Sequence, residues 1–178
     1  MSVDWAAEIV AQVVDHWHGQ LRPRLEGLTD EEYLWEPVPD CWTVRPRAAG
    51  ELAIDHGEPG HGPDPVTTIA WRLGHLTYGF AETVGTHFGG APVSLETFPY
   101  AGTAAGALQQ LDAACAAWIE GVRSLGAEGL ARPQGPSVPV EFADAPMARL
   151  VLYTSTEVIH HGAEVCLLRD LFLRRDQL

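Results

Sequence analysis

The chain has 178 residues, 46% of them hydrophobic, and sets 24 acidic residues against eleven basic ones, for a formal charge of −13 at pH 7. That length suits one domain, residues 1–178, with a substantial core, and the apolar content argues against general disorder. The charge argues against nucleic acid or an anionic membrane as partner, because too few cations are present to neutralise phosphates, and no apolar run is long enough to span a bilayer.

Every basic residue is Arg; the chain has no Lys and no Asn, a bias that suggests a GC-rich genome. The start, Met1 to Glu8, is acidic and amphipathic rather than a signal peptide, so a cytoplasmic protein is expected. Cys41, Cys115 and Cys166 are isolated and form no C-x-x-C pair, which gives no disulfide or zinc-ribbon framework. Cys115 and Cys166 read as small reduced hydrophobes, whereas Cys41 sits in a loop beside Trp42 and is expected to be more exposed.

Ser2 is placed to cap a first helix running to about Leu25, with Trp5, Ile9, Val13, Trp17 and Leu21 on one stripe and Pro23 kinking or tightening its last turn. Thr29 with Glu32 has the form of a capping box, which starts a short helix. Pro37, Pro39, Pro46 and Gly50 then break regular structure, and an irregular connection is expected over 36–63, partly covering a pocket. Asp64-Pro65 marks the start of a second long helix ending near Phe88, with Ile69, Leu73, Leu76, Phe80 and Val84 facing the core. His75 lies on an adjoining face with Trp71, Tyr78 and Glu82.

Thr103 caps a third helix, through Leu108, Leu111, Ala114, Cys115, Trp118, Ile119 and Val122, that fades near Gly126. Val138 to Phe142 reads as briefly extended. Asp144 and Pro146 start the fourth helix, which runs to about Arg174 with Met147, Leu150, Val151, Val158, Val165, Leu168 and Phe172 apolar. Four apolar-striped helices without a convincing strand set predict an all-α four-helix bundle with long connections, which need not run simply up and down.

Glu157 and His161 interrupt the fourth helix's apolar pattern four residues apart, so their side chains share a face and can meet one ion. A buried carboxylate needs a partner, a proton or a metal, and a Glu–His hydrogen bond is the simpler alternative. Of eight histidines, His16 and His18 read as surface or structural, His56 and His61 as solvated loop residues, and His87 as suited to a helix C-terminus if cationic. His75 alone would be an ordinary core histidine. With Glu157 and His161 it completes a two-His, one-carboxylate set that leaves positions open for water or substrate. Glu157-Val-Ile-His160 also has the E-x-x-H form of di-iron bundles, but its only counterpart, Glu58-Pro-Gly-His61, lies in a Pro/Gly loop. His160 falls about 100° round the helix from His161.

Trp71-Arg-Leu-Gly-His75-Leu, Glu157-Val-Ile-His160-His161-Gly and the segment from Leu28 to Trp42 resemble the DinB-like superfamily, especially its mycothiol-dependent maleylpyruvate isomerase and thiol S-transferase branch. The resemblance spans nearly the whole chain. It implies His75, Glu157 and His161 as ligands of one divalent ion, zinc foremost with nickel as the other candidate, and favours His161 over His160. It also implies thiol chemistry with mycothiol or a similar low-molecular-weight thiol. The isomerases carry a further C-terminal domain that contributes to catalysis, and this sequence ends just after the fourth helix, so isomerase activity itself is not expected.

The reading that follows is a metal-dependent S-transferase acting on a small-molecule electrophile. Trp71, Tyr78 and Tyr153 are its expected pocket walls, and Arg72 or Arg149 its contacts to any carboxylate of the thiol. A hydrolase using water at the metal, with Glu164 one turn beyond His161, is the second reading. A non-catalytic metal- or ligand-binding bundle, with apolar faces available for pairing into a homodimer, is the third.

Overall fold

The computed structural model describes residues 3–47, 50–57 and 65–177. Four long helices make a bundle: α1 (Trp5–His16), α4 (Ile69–His87), α5 (Ala104–Ala131) and α6 (Met147–Phe172). Shorter pieces join them, namely α2 (Arg22–Arg24), α3 (Asp30–Tyr33), and a two-stranded antiparallel hairpin of β1 (Val44–Pro46) and β2 (Leu52–Ile54). α1 packs against α5 and α6, and α4 packs against the same two helices. The chain therefore crosses the bundle between α1 and α4, which is what the long connection does. Among the described residues no helix is long and apolar enough to cross a membrane.

The first helix departs from its expected form in three ways. Asp4 caps it by accepting from the Ala6 and Ala7 amides at 3.1 Å, while Ser2 lies outside the described residues. Trp5 is 70% exposed rather than part of the core stripe. The last turn widens instead of tightening, because Trp17–Leu21 forms a π segment closed by the Arg22 amide donating to the Trp17 carbonyl. Pro23 cannot donate to the Gly19 carbonyl four residues back, and its ring crowds that carbonyl. The wider turn also suits the burial pattern. Val13, Trp17, Leu21 and Leu25 are all buried at intervals of four, a spacing that drifts about 40° per step in an α-helix and less in a π turn.

Thr29 accepts from the Glu32 amide at 3.2 Å, so half of the capping box forms. The other half does not, because the buried Glu32 carboxylate turns to Arg169 on α6, at 2.6 and 3.2 Å. Arg169 also donates to the Arg24 and Glu26 carbonyls, closing the end of α2 onto α6. Asp30 accepts from the Ala104 amide at 2.7 Å and, with Thr103 accepting from Gly106, caps α5.

Within the expected irregular connection lies the hairpin, registered Val44 to Ile54 and Pro46 to Leu52. Three-residue strands are too short for a period-two signal, and Pro46 is tolerated because it needs no ladder donor at an edge. α4 begins later than expected, at Ile69, with Thr68 as its cap. Residues 66–68 are held extended by hydrogen bonds to Trp42, from the Trp42 amide to the Val66 carbonyl and from the Thr68 amide to the Trp42 carbonyl. Asp64, the expected cap, is outside the described residues, as are Glu58 and His61.

α5 does break at Gly126, which adopts φ 57°, but helical turns resume to Ala131. The expected extended stretch near Phe142 is a short 3-10 turn, Val140–Phe142. Cys41 is buried, with its thiol on the Val38 carbonyl at 3.0 Å, contrary to the exposure expected of it. Burial pushes the Cys115 thiol up to about 12.

Arg169→Ala would leave the Glu32 carboxylate buried and unpaired, since its side chain is only 4% exposed. The expected loss is about 3–5 kcal/mol of unfolding free energy, read by urea denaturation. A loss similar to that of an exposed pair, such as removal of Arg123 from Glu120, would show that Glu32 does not depend on this partner.

Candidate metal centre

Two helices supply the site. On α4, the four-residue spacing of Trp71 and His75 stacks the two rings at 5.0 Å with an interplanar angle of 8°. The far edge of Trp71 is fixed from the hairpin side, where its Nε1–H donates to the Asp55 carbonyl at 2.8 Å and Trp42 packs at 6.1 Å. On α6, Glu157, His161 and Glu164 follow one another at intervals of four and three, so all three lie along one face.

The packing of α4 on α6 brings His75, Glu157 and His161 together. Glu157 Oε2 is 3.4 Å from His75 Nε2 and 3.2 Å from His161 Nε2. One ligand atom from each of the three residues lies within 4.8 Å of the others. An ion with bonds of about 2.0–2.2 Å to tetrahedral N and O ligands separates those ligands by roughly 3.4 Å, so these distances already suit a metal.

The surroundings of His161 strengthen the case. Its Nδ1 is 2.7 Å from Glu164 Oε2 and 2.9 Å from Arg72 Nη1, while its Nε2 faces Glu157, so both ring nitrogens of a residue only 7% exposed have a carboxylate within reach. A neutral imidazole has one N–H to offer. Donated to Glu164, it leaves the Nε2 lone pair facing Glu157, an arrangement satisfied by an additional proton or by a cation between them. Metal-binding histidines usually hold a carboxylate on their other ring nitrogen, which orients the ring. Arg72 completes the group, with Nη1 2.9 Å from both Glu164 Oε2 and His161 Nδ1, and so balances the charge of the Glu164 carboxylate.

Burial, and then the nearby charge of His161, hold His75 below the usual imidazole range. That favours the neutral form, the one able to bind a metal. In a metal-free protein the same shift has a definite sign. The unfolded chain takes up the proton first, so His75's contribution to stability is full above pH 6.5 and is lost as pH falls further.

His160 points outward, stacked on His161 at 4.8 Å, with Nε2 3.4 Å from Glu164 Oε1. His160, His161 and Glu164 form a second ligand-like cluster, but the Arg72 guanidinium already sits against its carboxylate.

A cleft of ≈ 310 Å³ adjoins the triad, with His75 and Glu157 on its wall. Tyr78 and Tyr153 also line it, beside Leu76, Leu95 and Leu150. Trp71 does not; it backs His75 instead of facing the cleft. Arg72 is turned to Glu164, and Arg149 lies over the Phe142 ring at 5.2 Å, so neither takes the expected place against a ligand carboxylate. Of the remaining histidines, His16 is half-buried while His18 and His56 are exposed. His87 is held low by burial and by Arg132, which disfavours the cation expected at that helix end.

Sequence reasoning did not reach the Arg72–Glu164–His161 arrangement. The interval of three between His161 and Glu164 was a usable signal; the approach of Arg72 from another helix had none.

A family model described as the DinB superfamily matches residues 12–165. No curated protein and no solved structure matches the chain.

Protein purified without a nickel column is expected to hold about one equivalent of divalent metal by elemental analysis, after incubation with zinc if necessary. His75→Ala, Glu157→Ala and His161→Ala lose it, and His160→Ala keeps it. Glu164→Gln is expected to weaken metal affinity by about 10–100-fold in a competition with a chelator, leaving the fold intact. In the metal-free protein, the stability advantage of wild type over His75→Gln shrinks as pH falls below 6.5. An advantage that instead grew on acidification would reverse the assigned sign.

Proposed function

From the premise that this chain belongs to the DinB superfamily, we propose that it is a metal-dependent S-transferase. It joins a low-molecular-weight thiol of the mycothiol kind to a small electrophile. One divalent ion, zinc in the first instance and nickel as the alternative, is held by His75, Glu157 and His161. The observation that carries the reading is the convergence of these three side chains from two helices at the wall of a cleft.

The donor set fits such an ion: two imidazoles and one carboxylate suit several first-row metals and leave coordination positions free. When bound, the ion supplies Lewis acidity that favours the thiolate over the thiol near neutral pH. The chain's own residues do the rest. Glu157 offsets cationic charge, Glu164 and Arg72 hold the His161 ring in orientation, and Trp71 holds the His75 ring in plane. The apolar side of the cleft, Leu76, Leu95 and Leu150, shelters the reacting groups from water. The thiol's proton leaves to solvent, its sulfur forms a bond to the electrophilic carbon, and the carbon's leaving group, halide in a haloarene, departs with the electrons of the broken bond.

The hydrolase reading loses support in this geometry. Its candidate base, Glu164, lies on the Nδ1 side of His161, away from the face that Nε2 presents to Glu157 and His75, and is paired with Arg72.

Zinc-loaded protein is expected to accelerate conjugation of mycothiol, or of a simple uncharged thiol, to an activated haloarene. His75→Ala should reduce the rate by about a hundredfold or more while its helical circular dichroism is retained. Full metal occupancy with no conjugation and no ester or amide hydrolysis over a broad panel would instead make this a binding bundle.

A further inference from the structure

The cleft has a charge character that the metal triad does not account for. Its lining holds Glu82 and Glu157 but no Arg. Glu82 stands seven residues beyond His75 on α4, about 10 Å along the helix axis. Its Oε1 accepts from the Tyr78 hydroxyl at 2.9 Å, and burial, then Glu82, pushes that hydroxyl up to about 12, so Tyr78 remains a donor. Between triad and Glu82 the cleft is largely apolar, with Leu76, Leu95 and Leu150 in its wall.

The chain has eleven cations of the Lys/Arg type to place, and the residues outside the described range include none of them. Arg72 is turned behind His161 to Glu164, and Arg149 lies over Phe142. Arg47 donates to the Glu96 carbonyl at 2.8 Å, next to Leu95, where a backbone hydrogen bond, helped by the Arg47 charge, holds the Glu96 carboxyl below the usual range. Arg22, Arg24 and Arg169 are paired with Asp112, Asp170 and Glu32 elsewhere on the bundle. Arg45, Arg123 and Arg175 are paired with Asp55, Glu120 and Glu31, and Arg132 and Arg174 donate to the His87 and Asp170 carbonyls, so among the described residues no Arg lines the cleft to meet an anion.

We infer that this cleft selects its small-molecule ligand by charge. It takes a molecule with a metal-binding head, an apolar middle and an uncharged or cationic tail that Glu82 receives, and it rejects carboxylate-bearing molecules of the same length. The inference rests on the metal-centred reading above and narrows its substrate class. An anionic tail would be juxtaposed with Glu82 without a counter-charge, a placement that costs affinity and also slows encounter.

The test uses cobalt(II)-loaded protein, whose visible absorption reports ligands entering the metal's coordination sphere. Two series of linear ligands are titrated, one with a thiol head and one with a hydroxamate head. Each is long enough to span two helical turns and ends in an ammonium, a hydroxyl or a carboxylate. At low ionic strength the ammonium tail is expected to bind about tenfold or more tighter than the carboxylate tail, with the gap closing near 1 M salt. Glu82→Gln should bring the ammonium tail close to the hydroxyl tail without loss of metal. Carboxylate tails that bind as tightly as ammonium tails in either series overturn the inference. Hydroxamates that follow the charge ranking while no thiol perturbs the spectrum uphold charge selection and remove the S-transferase reading.

Discussion

Half-burying two carboxylates beside a buried imidazole on the inner face of α6 is the constraint on which the rest of this structure turns. Glu157, His161 and Glu164 occupy positions that an ordinary bundle helix fills with aliphatic side chains. Each charge removed from water must be matched within hydrogen-bonding distance, or the packing fails. α4 provides the match twice over, with Arg72 for Glu164 and His75 beside Glu157. The polar seam between α4 and α6 is thus a cost to the fold, and it gathers the side chains that could hold a metal ion. A cation at the point where His75, Glu157 and His161 converge would settle the remaining imbalance around His161.

The seam is held in place by parts of the chain remote from it. Arg169, two turns beyond His161, locks α6 to the end of the first helical arm through Glu32 and two carbonyls. Leu21, delivered by the π segment, packs where Gly162 leaves room; a Cβ on Gly162 would come within 2.8 Å of its side chain. The hairpin reaches over α4 to fix Trp71, and Trp71 fixes His75. Ligand geometry is therefore inherited from packing on three sides, which is how a site gains its orientation without ligand present.

Charge is distributed with similar consequence. With acidic residues outnumbering basic ones by more than two to one, most Arg side chains become structural ties, and the surface of the cleft is left acidic.

The sequence by itself determined the helical architecture. Apolar intervals, caps at Thr29 and Thr103 and breaks at Gly126 and Pro146 are local signals, set by hydrogen bonding and sterics within a few residues. It also singled out Glu157 and His161, because charged groups on an apolar stripe stand out in one dimension. It did not disclose the hairpin, whose strands are too short to show a period, nor the widened turn ahead of Pro23. The pairing of Glu32 with Arg169, the exposure of Trp5 and the turn of Arg72 toward Glu164 were decided only by tertiary structure. Each depends on which helix face meets which, a relation between residues many positions apart that local periodicity does not encode.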